Sequence, residues 1–217
     1  MARMARVVVP QYPHHVTQRG NRGQKTFFSN EDYQAYFGML AGAKAKSGVE
    51  IWAYCFMPNH VHLVVVPEDK DSLAAFFSEA HRRYTRMINR REGWRGHLWQ
   101  ERFHSFIMDE THLLSAVRYT ELNPTRARLC AQPNDWNWSS VHAHLRGEDD
   151  ALVTVKPMLE RISNWQNYLD LALPKAELDS IRAHTKTGRP IGDDSFMQNL
   201  ERVTGHSLRK CKTGPKK

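Results

Sequence analysis

Pro58-Asn59-His60-Val61-His62-Leu63-Val64-Val65-Val66 is the stretch on which the fold turns. Val and Leu dominate it and Pro58 punctuates its start, so it reads as a strand with at least one buried face. Side chains alternate along a strand, which puts His60 and His62 on one face and Val61 on the other. Two imidazoles held by a rigid sheet can bind a divalent metal. Spacing alone favours the plainer reading, polar residues on a solvated strand face, because alternation is the normal strand pattern.

The flanking residues build outward from this strand. Val49 to Met57 is also strand-like, and Met57-Pro58-Asn59 turns it into the histidine strand, so the two form a hairpin. Upstream, Asn30 is a candidate N-cap with Glu31 and Asp32 in the first turn. Tyr33, Phe37, Leu40 and Ala41 then form an apolar stripe, closed by Gly48. Earlier still, Arg6 to Thr17 reads as extended, and Gly20-Asn21-Arg22-Gly23 as a turn. Downstream, Ser72 is expected to cap a long helix carrying Leu73, Phe76, Phe77, Ala80, Tyr84, Met87 and Ile88 at helical spacing. His97 to Met108 reads as a further extended pass, followed by a helix from Asp109 or Thr111 to about Leu122. The order strand, helix, strand, strand, helix, strand, helix predicts an α+β, ferredoxin-like fold: an antiparallel sheet with helices on one face.

The polar break Gly147-Glu148-Asp149-Asp150 divides the chain into an expected catalytic domain, 1–146, and a mainly helical C-terminal extension, 147–217. In the extension, helices are expected over Val155–Leu173, Lys175–His184 and Ser195–Val203.

With 217 residues and 41% hydrophobic content the chain can bury a core. No apolar run approaches the ~20 residues of a membrane span. The apolar part of MARMARVVVPQ is too short for a signal peptide, so a cytoplasmic location is expected. The three cysteines are scattered with no CxxC pair, which indicates neither a disulfide framework nor a cysteine zinc site. A formal net charge of +8, with 12 histidines counted as neutral, points to a polyanionic partner. Arg82, Arg83, Arg86, Arg90, Arg91 and Arg95 fall in one segment, and RKCKTGPKK closes the chain. The arginines lie mostly off the apolar stripe, as a solvated helix face or a phosphate-contacting one would have them.

On the helix near Thr111, Leu113, Leu114 and Val117 share one face at about 100° per residue. Tyr119 lies opposite, with Asn123 four residues on, so the two are surface neighbours. A tyrosine turned from the aliphatic stripe, beside an amide able to ligate metal, is a candidate reactive group or a second-face packing residue. Pro124 disfavours α geometry at Asn123 and predicts a kink there.

HVTQRGNRG, NHVHLVVV and RYTELNPTRARL, in that order, resemble the single-tyrosine HUH transposases, in which U is a hydrophobic residue. More narrowly they are similar to the REP-associated tyrosine transposases, relatives of insertion-sequence transposases. The likeness runs from about Val7 to Leu145 and includes WQERF and NWSS. It implies that His60 and His62 bind metal, that Asn123 supplies a third, amide ligand, and that Tyr119 is the nucleophile. The metal it implies is Mg2+ or Mn2+, whereas imidazole chemistry alone suits zinc, copper or nickel better. It further implies cleavage of single-stranded DNA beside a hairpin through a 5′-phosphotyrosine, with strand joining by the same residue. Arg19, Arg22, Arg82, Arg83, Arg86 and Arg90 are the candidate DNA contacts, and the extension would aid binding. Monomer and homodimer both remain open. Two competing readings are a non-catalytic nucleic-acid binder on a ferredoxin-like fold and a zinc-dependent hydrolase built on the histidine pair.

Overall fold

A computed structural model describes residues 6–209. The first five residues and the basic ending from Lys210 onward, Cys211 included, lie outside the described residues. Four strands form one antiparallel sheet: β1 (His14–Arg19), β2 (Val49–Met57), β3 (His60–Pro67) and β4 (His104–Ile107), in the order β2-β3-β1-β4. The crossovers are α1 (Asn30–Ser47), between β1 and β2, and α2 (Ser72–Glu92), between β3 and β4. This is the ferredoxin-like arrangement that the element order predicts.

Periodicity explains which side chains meet. Val16, Val61, Leu63 and Val65 point to one face of the sheet and pack on Tyr36 and Leu40 of α1 and on Phe76, Tyr84 and Ile88 of α2. The alternate residues Val64 and Phe106 point to the opposite face, which is apolar enough to need cover of its own. That cover is α3 (Glu110–Glu121), whose Leu113, Ala116 and Val117 pack there. The crossover helices thus lie on one face as expected, while a further helical layer closes the second.

Strand β2 serves both layers through an irregularity. Ile51 and Ala53, two residues apart, would share a face in a regular strand, yet Ile51 lies in the first core and Ala53 in the second. The register with β3 shifts between them, a bulge that accommodates Trp52 and re-phases the strand. Tyr54 and Phe56 thereby return to the first core.

Several boundaries differ from the sequence expectations for local reasons. Ser29, not Asn30, is the N-cap of α1, and Asp71 rather than Ser72 precedes α2. The Ser72 hydroxyl instead accepts from the Asp69 N–H. Gly48 ends α1 in the left-handed conformation, φ 59°, as its position predicts. The extended pass over His97–Met108 shrinks to the four residues of β4, because residues before it join the sheet only by a Gly20–Trp99 bridge. Likewise β1 begins at His14, since Tyr12 and Pro13 precede any ladder pairing.

Beyond α3 the chain forms α4 (Asn123–Arg126), α5 (Val141–Arg146), α6 (Lys156–Leu159), α7 (Trp165–Asp170), α8 (Lys175–Thr187) and α9 (Asp194–Thr204). The segment expected to be helical over Val155–Leu173 holds two short helices, α6 and α7. Gly147, at φ 74°, ends α5 where the sequence shows its polar break. Leu152, Val153 and Val155 lie in the first core, and Ile181 and Ile191 in the second. Among the described residues no helix is long and apolar enough to cross a membrane.

Candidate active site

The second face of the sheet carries a row of histidines. On β3, His60 and His62 project from it with ring centroids 4.9 Å apart. His15 of β1 joins them: its Nε2 lies 3.1 Å from Nδ1 of His62, and the two rings stack at 5.2 Å. His15 is wholly buried, His62 almost so, and His60 is half-buried at the strand's start.

Burial sets the protonation of these rings. It pushes His60 down to about 4, assisted by the Arg19 cation. It pushes His15 down to about 3. His62 falls well below the usual histidine range by burial first, then by its neighbours His60, His15 and Arg126. Near pH 7 all three are therefore neutral imidazoles with lone pairs available.

The hairpin turn fixes which nitrogen of His60 carries the proton. Asn59 donates its Nδ2 to the Gly23 carbonyl, 3.0 Å, so its Oδ1 is the atom facing Nδ1 of His60 at 2.6 Å. A carbonyl oxygen only accepts, so Nδ1 of the neutral ring bears the hydrogen and Nε2 keeps its lone pair.

Tyr119 reaches this row from α3. Asp109 caps the helix by accepting the His112 N–H, and Ala116 and Tyr119 face the sheet. The Tyr119 ring stands 5.5 Å from that of His62 at 74°, and 6.1 Å from that of His15. It is 8% exposed, so the side of α3 that carries it is buried rather than solvated. On its other side the Arg126 guanidinium carbon lies 4.2 Å from the ring centroid.

The helix breaks one residue before the kink predicted at Asn123, which itself lies within α4. Leu122, at ψ 0°, separates α3 from α4, and Pro124 takes the second position of the new turn. Asn123 opens α4 at 7% exposure with its Nδ2 buried and unpartnered. The two ends of an amide exchange by a half-turn, so this unsatisfied end can present oxygen instead. Two imidazole lone pairs and an unsatisfied amide fit a divalent ion that takes its remaining ligands from phosphate and water. Among the described residues no group of three or more His, Cys, Asp and Glu side chains is placed to hold a metal. A catalytic zinc usually has three such protein ligands.

The profile of the family described as "Transposase IS200 like" matches residues 8–123, a stretch that contains the three histidines, Tyr119 and Asn123. The chain belongs to the IS200-like transposase family. A Haemophilus influenzae protein named as a REP-associated tyrosine transposase is 28% identical over 110 residues, which are 46% of this chain and 62% of that protein. The match thus spans under two thirds of that relative's length. A solved structure of a REP-associated tyrosine transposase bound to a REP hairpin superposes with a TM-score of 0.59 at 22% identity. The superposition covers 71% of this chain and 92% of that one. At that identity the likeness is one of fold.

In this transposase-family chain the six candidate DNA arginines fall into two groups. Arg19 lies opposite His60 in the β1–β3 register, and Arg22 follows in the next turn at φ 55°, so both are near the histidine end of the sheet. Arg82, Arg83, Arg86 and Arg90 are exposed on α2, which covers the opposite face. There Arg82 and Arg86 line a groove with His97 and Arg102. Arg91, from the same run, is committed to structure through an ion pair with the buried Asp32 carboxylate.

Sequence reasoning missed His15, Asn59 and Arg126. His15 precedes a β-branched run in PHHVT, but only strand register reveals that it neighbours His62. Arg126 is seven residues beyond Tyr119, and the break at Leu122 brings it back over the ring.

Proposed function

We propose that this chain is a metal-dependent nuclease and strand transferase for single-stranded DNA beside REP-like hairpins, acting through a 5′-phosphotyrosine at Tyr119. The observation that carries this reading is the Tyr119 ring against His62, with His60 alongside on a rigid strand. The family match and a homologous fold seen with a REP hairpin support it.

His60, His62 and Asn123 would hold a magnesium or manganese ion, whose Lewis acidity offsets charge on the phosphoryl oxygens. The chain's own groups do the rest. Asn59 keeps the His60 proton on Nδ1, and His15 holds the His62 ring from behind. The Tyr119 Oη attacks phosphorus, the bond from phosphorus to the 3′ oxygen breaks, and that oxygen leaves as a 3′-OH. The phenolic proton passes to water, since no carboxylate or imidazole hydrogen-bonds the hydroxyl among the described residues. The new phosphodiester to tyrosine retains the bond energy, so a second 3′-OH can reverse the step and join strands. Arg19 and Arg22 would contact phosphates near the cut, and the α2 arginines would hold more distant backbone. Residues 147–217 would contribute to DNA selection rather than to chemistry.

Incubating the protein with a labelled hairpin oligonucleotide, with and without EDTA, and resolving it on a denaturing gel tests the reading. A covalent protein–DNA band that requires metal is expected. Cleavage with no adduct would favour the zinc-hydrolase alternative, and retention without cleavage the plain binder.

A further inference from the structure

We propose that Arg126 is a catalytic residue, a guanidinium clamp that engages the non-bridging oxygens of the scissile phosphate while holding the Tyr119 ring. This rests on Tyr119 being the nucleophile.

The side chain is half-buried in α4, one turn beyond the candidate metal ligand Asn123. Its guanidinium carbon lies 4.2 Å from the Tyr119 ring centroid, and Nη1 donates to the Tyr119 carbonyl at 3.4 Å. Of the five N–H donors of an arginine, this is the single hydrogen bond made among the described residues, and no carboxylate pairs with the group. Its neighbours contrast with it. Arg118 lies 4.0 Å from Glu177, Arg161 pairs with Glu110, and Arg91 with Asp32. A half-buried cation with uncommitted donors is costly to maintain unless an anion arrives.

The position identifies the anion. The guanidinium covers one side of the Tyr119 ring, and His62 lies 5.5 Å from that ring on the other. A phosphodiester attacked by the Tyr119 hydroxyl must sit within about 3–3.5 Å of the nucleophile, at the rim of the ring that Arg126 covers. Guanidinium matches phosphate as a planar fork of donors, and charge grows on the non-bridging oxygens as phosphorus is attacked. Stacking on the ring face at the same time fixes the phenol for in-line approach. In the step itself the Tyr119 Oη bonds to phosphorus as the 3′ oxygen departs, and Arg126 gives and takes no proton.

The test compares wild type and Arg126→Ala on two oligonucleotides, one with the ordinary scissile phosphodiester and one with a neutral methylphosphonate there. On the diester, loss of the guanidinium should slow adduct formation by roughly 10²–10³-fold. On the methylphosphonate the two proteins should agree within a few-fold, because little charge needs offsetting. An equal loss on both substrates would show that Arg126 merely packs the ring, and no loss on the diester would also overturn the proposal. The same comparison is made as binding in a Tyr119→Phe background, so it is readable even if the methylphosphonate reacts too slowly. With Arg126 present the diester should bind more tightly than the methylphosphonate, and with Ala that preference should vanish; a preference that persists sinks the proposal. Absence of any wild-type adduct on the diester would instead remove Tyr119 as the nucleophile.

Discussion

Nε2 of His15 on β1 and Nδ1 of His62 on β3 meet at 3.1 Å, and that bond decides which face of His62 is free. When the hydrogen sits on His62 Nδ1, its Nε2 lone pair is left alongside that of His60. When His15 donates instead, His62 Nε2 carries a hydrogen and cannot ligate a metal. In the ligating arrangement the His15 hydrogen moves to Nδ1, which is buried and unpartnered. His15→Leu, which has no acceptor, should weaken Mn2+ binding by about 10–100-fold. His15→Gln, able to accept, should recover part of it. Titration of free Mn2+ by electron paramagnetic resonance measures this without any DNA.

Tyr119→Phe removes one oxygen and leaves the ring between His62 and Arg126, so the thermal midpoint should shift little. Cleavage and the covalent adduct should both disappear while hairpin binding persists. Tyr84→Phe is the control. That hydroxyl donates to the Thr26 carbonyl at 2.7 Å inside the first core, so its loss should cost about 1 kcal/mol of stability and leave cleavage intact. An adduct formed by Tyr119→Phe would end the assignment.

Replacing His60 and His62 together by Ala should abolish cleavage at saturating Mg2+ or Mn2+, as EDTA should for the wild type. Far-ultraviolet circular dichroism should be unchanged, since β3 is held by Val61, Leu63 and Val65 in the first core and Val64 in the second. Retained cleavage in the double variant would dissociate the histidines from the chemistry.

Folding stability should fall in acid because of His14. Its Nδ1 donates to the Tyr12 carbonyl at 2.7 Å and its Nε2 accepts the Val9 N–H at 3.3 Å, leaving no place for a second proton. Burial pushes its pKa down to about 4, partly opposed by the bond to Tyr12. Between that value and the ordinary one near 6.5, the unfolded chain binds the proton and the folded chain does not. This contribution is therefore fully present above about pH 6.5 and is lost as pH falls toward 4. Urea denaturation across that window should show a shallower slope for His14→Gln than for wild type.

A buried carboxylate anchors the end of α3. Glu121 accepts from the Ser140 hydroxyl at 2.5 Å, from the Trp165 indole at 2.8 Å and faces His144 Nδ1 at 2.6 Å, and all four residues are buried. Glu121→Leu leaves the Trp165 indole and His144 Nδ1 without this partner, while Ser140 keeps its bonds to the Tyr54 backbone, and should cost about 3–5 kcal/mol in chemical denaturation. Adduct formation should fall as well, because Tyr119 lies two residues before it on α3.

The hairpin, the order of strands and helices, the C-terminal end of α1, the approximate span of α3 and the pairing of His60 with His62 were all readable along the chain. Each depends on neighbours within a few residues: alternation in β3, caps at Gly48 and Asp109, a proline after Asn123. The bulge at Trp52, the second helical layer and the split of α6 from α7 were not, because they answer to surfaces supplied from far along the sequence. The same division runs through the site. Local spacing determined that two imidazoles share a face and that a tyrosine stands beside an amide. Only the tertiary structure decided that this tyrosine looks onto those imidazoles, that His15 backs His62 and that Arg126 lies over the ring. Strand register and the packing of α3 on the sheet set those distances, and both are long-range properties that no window of sequence contains.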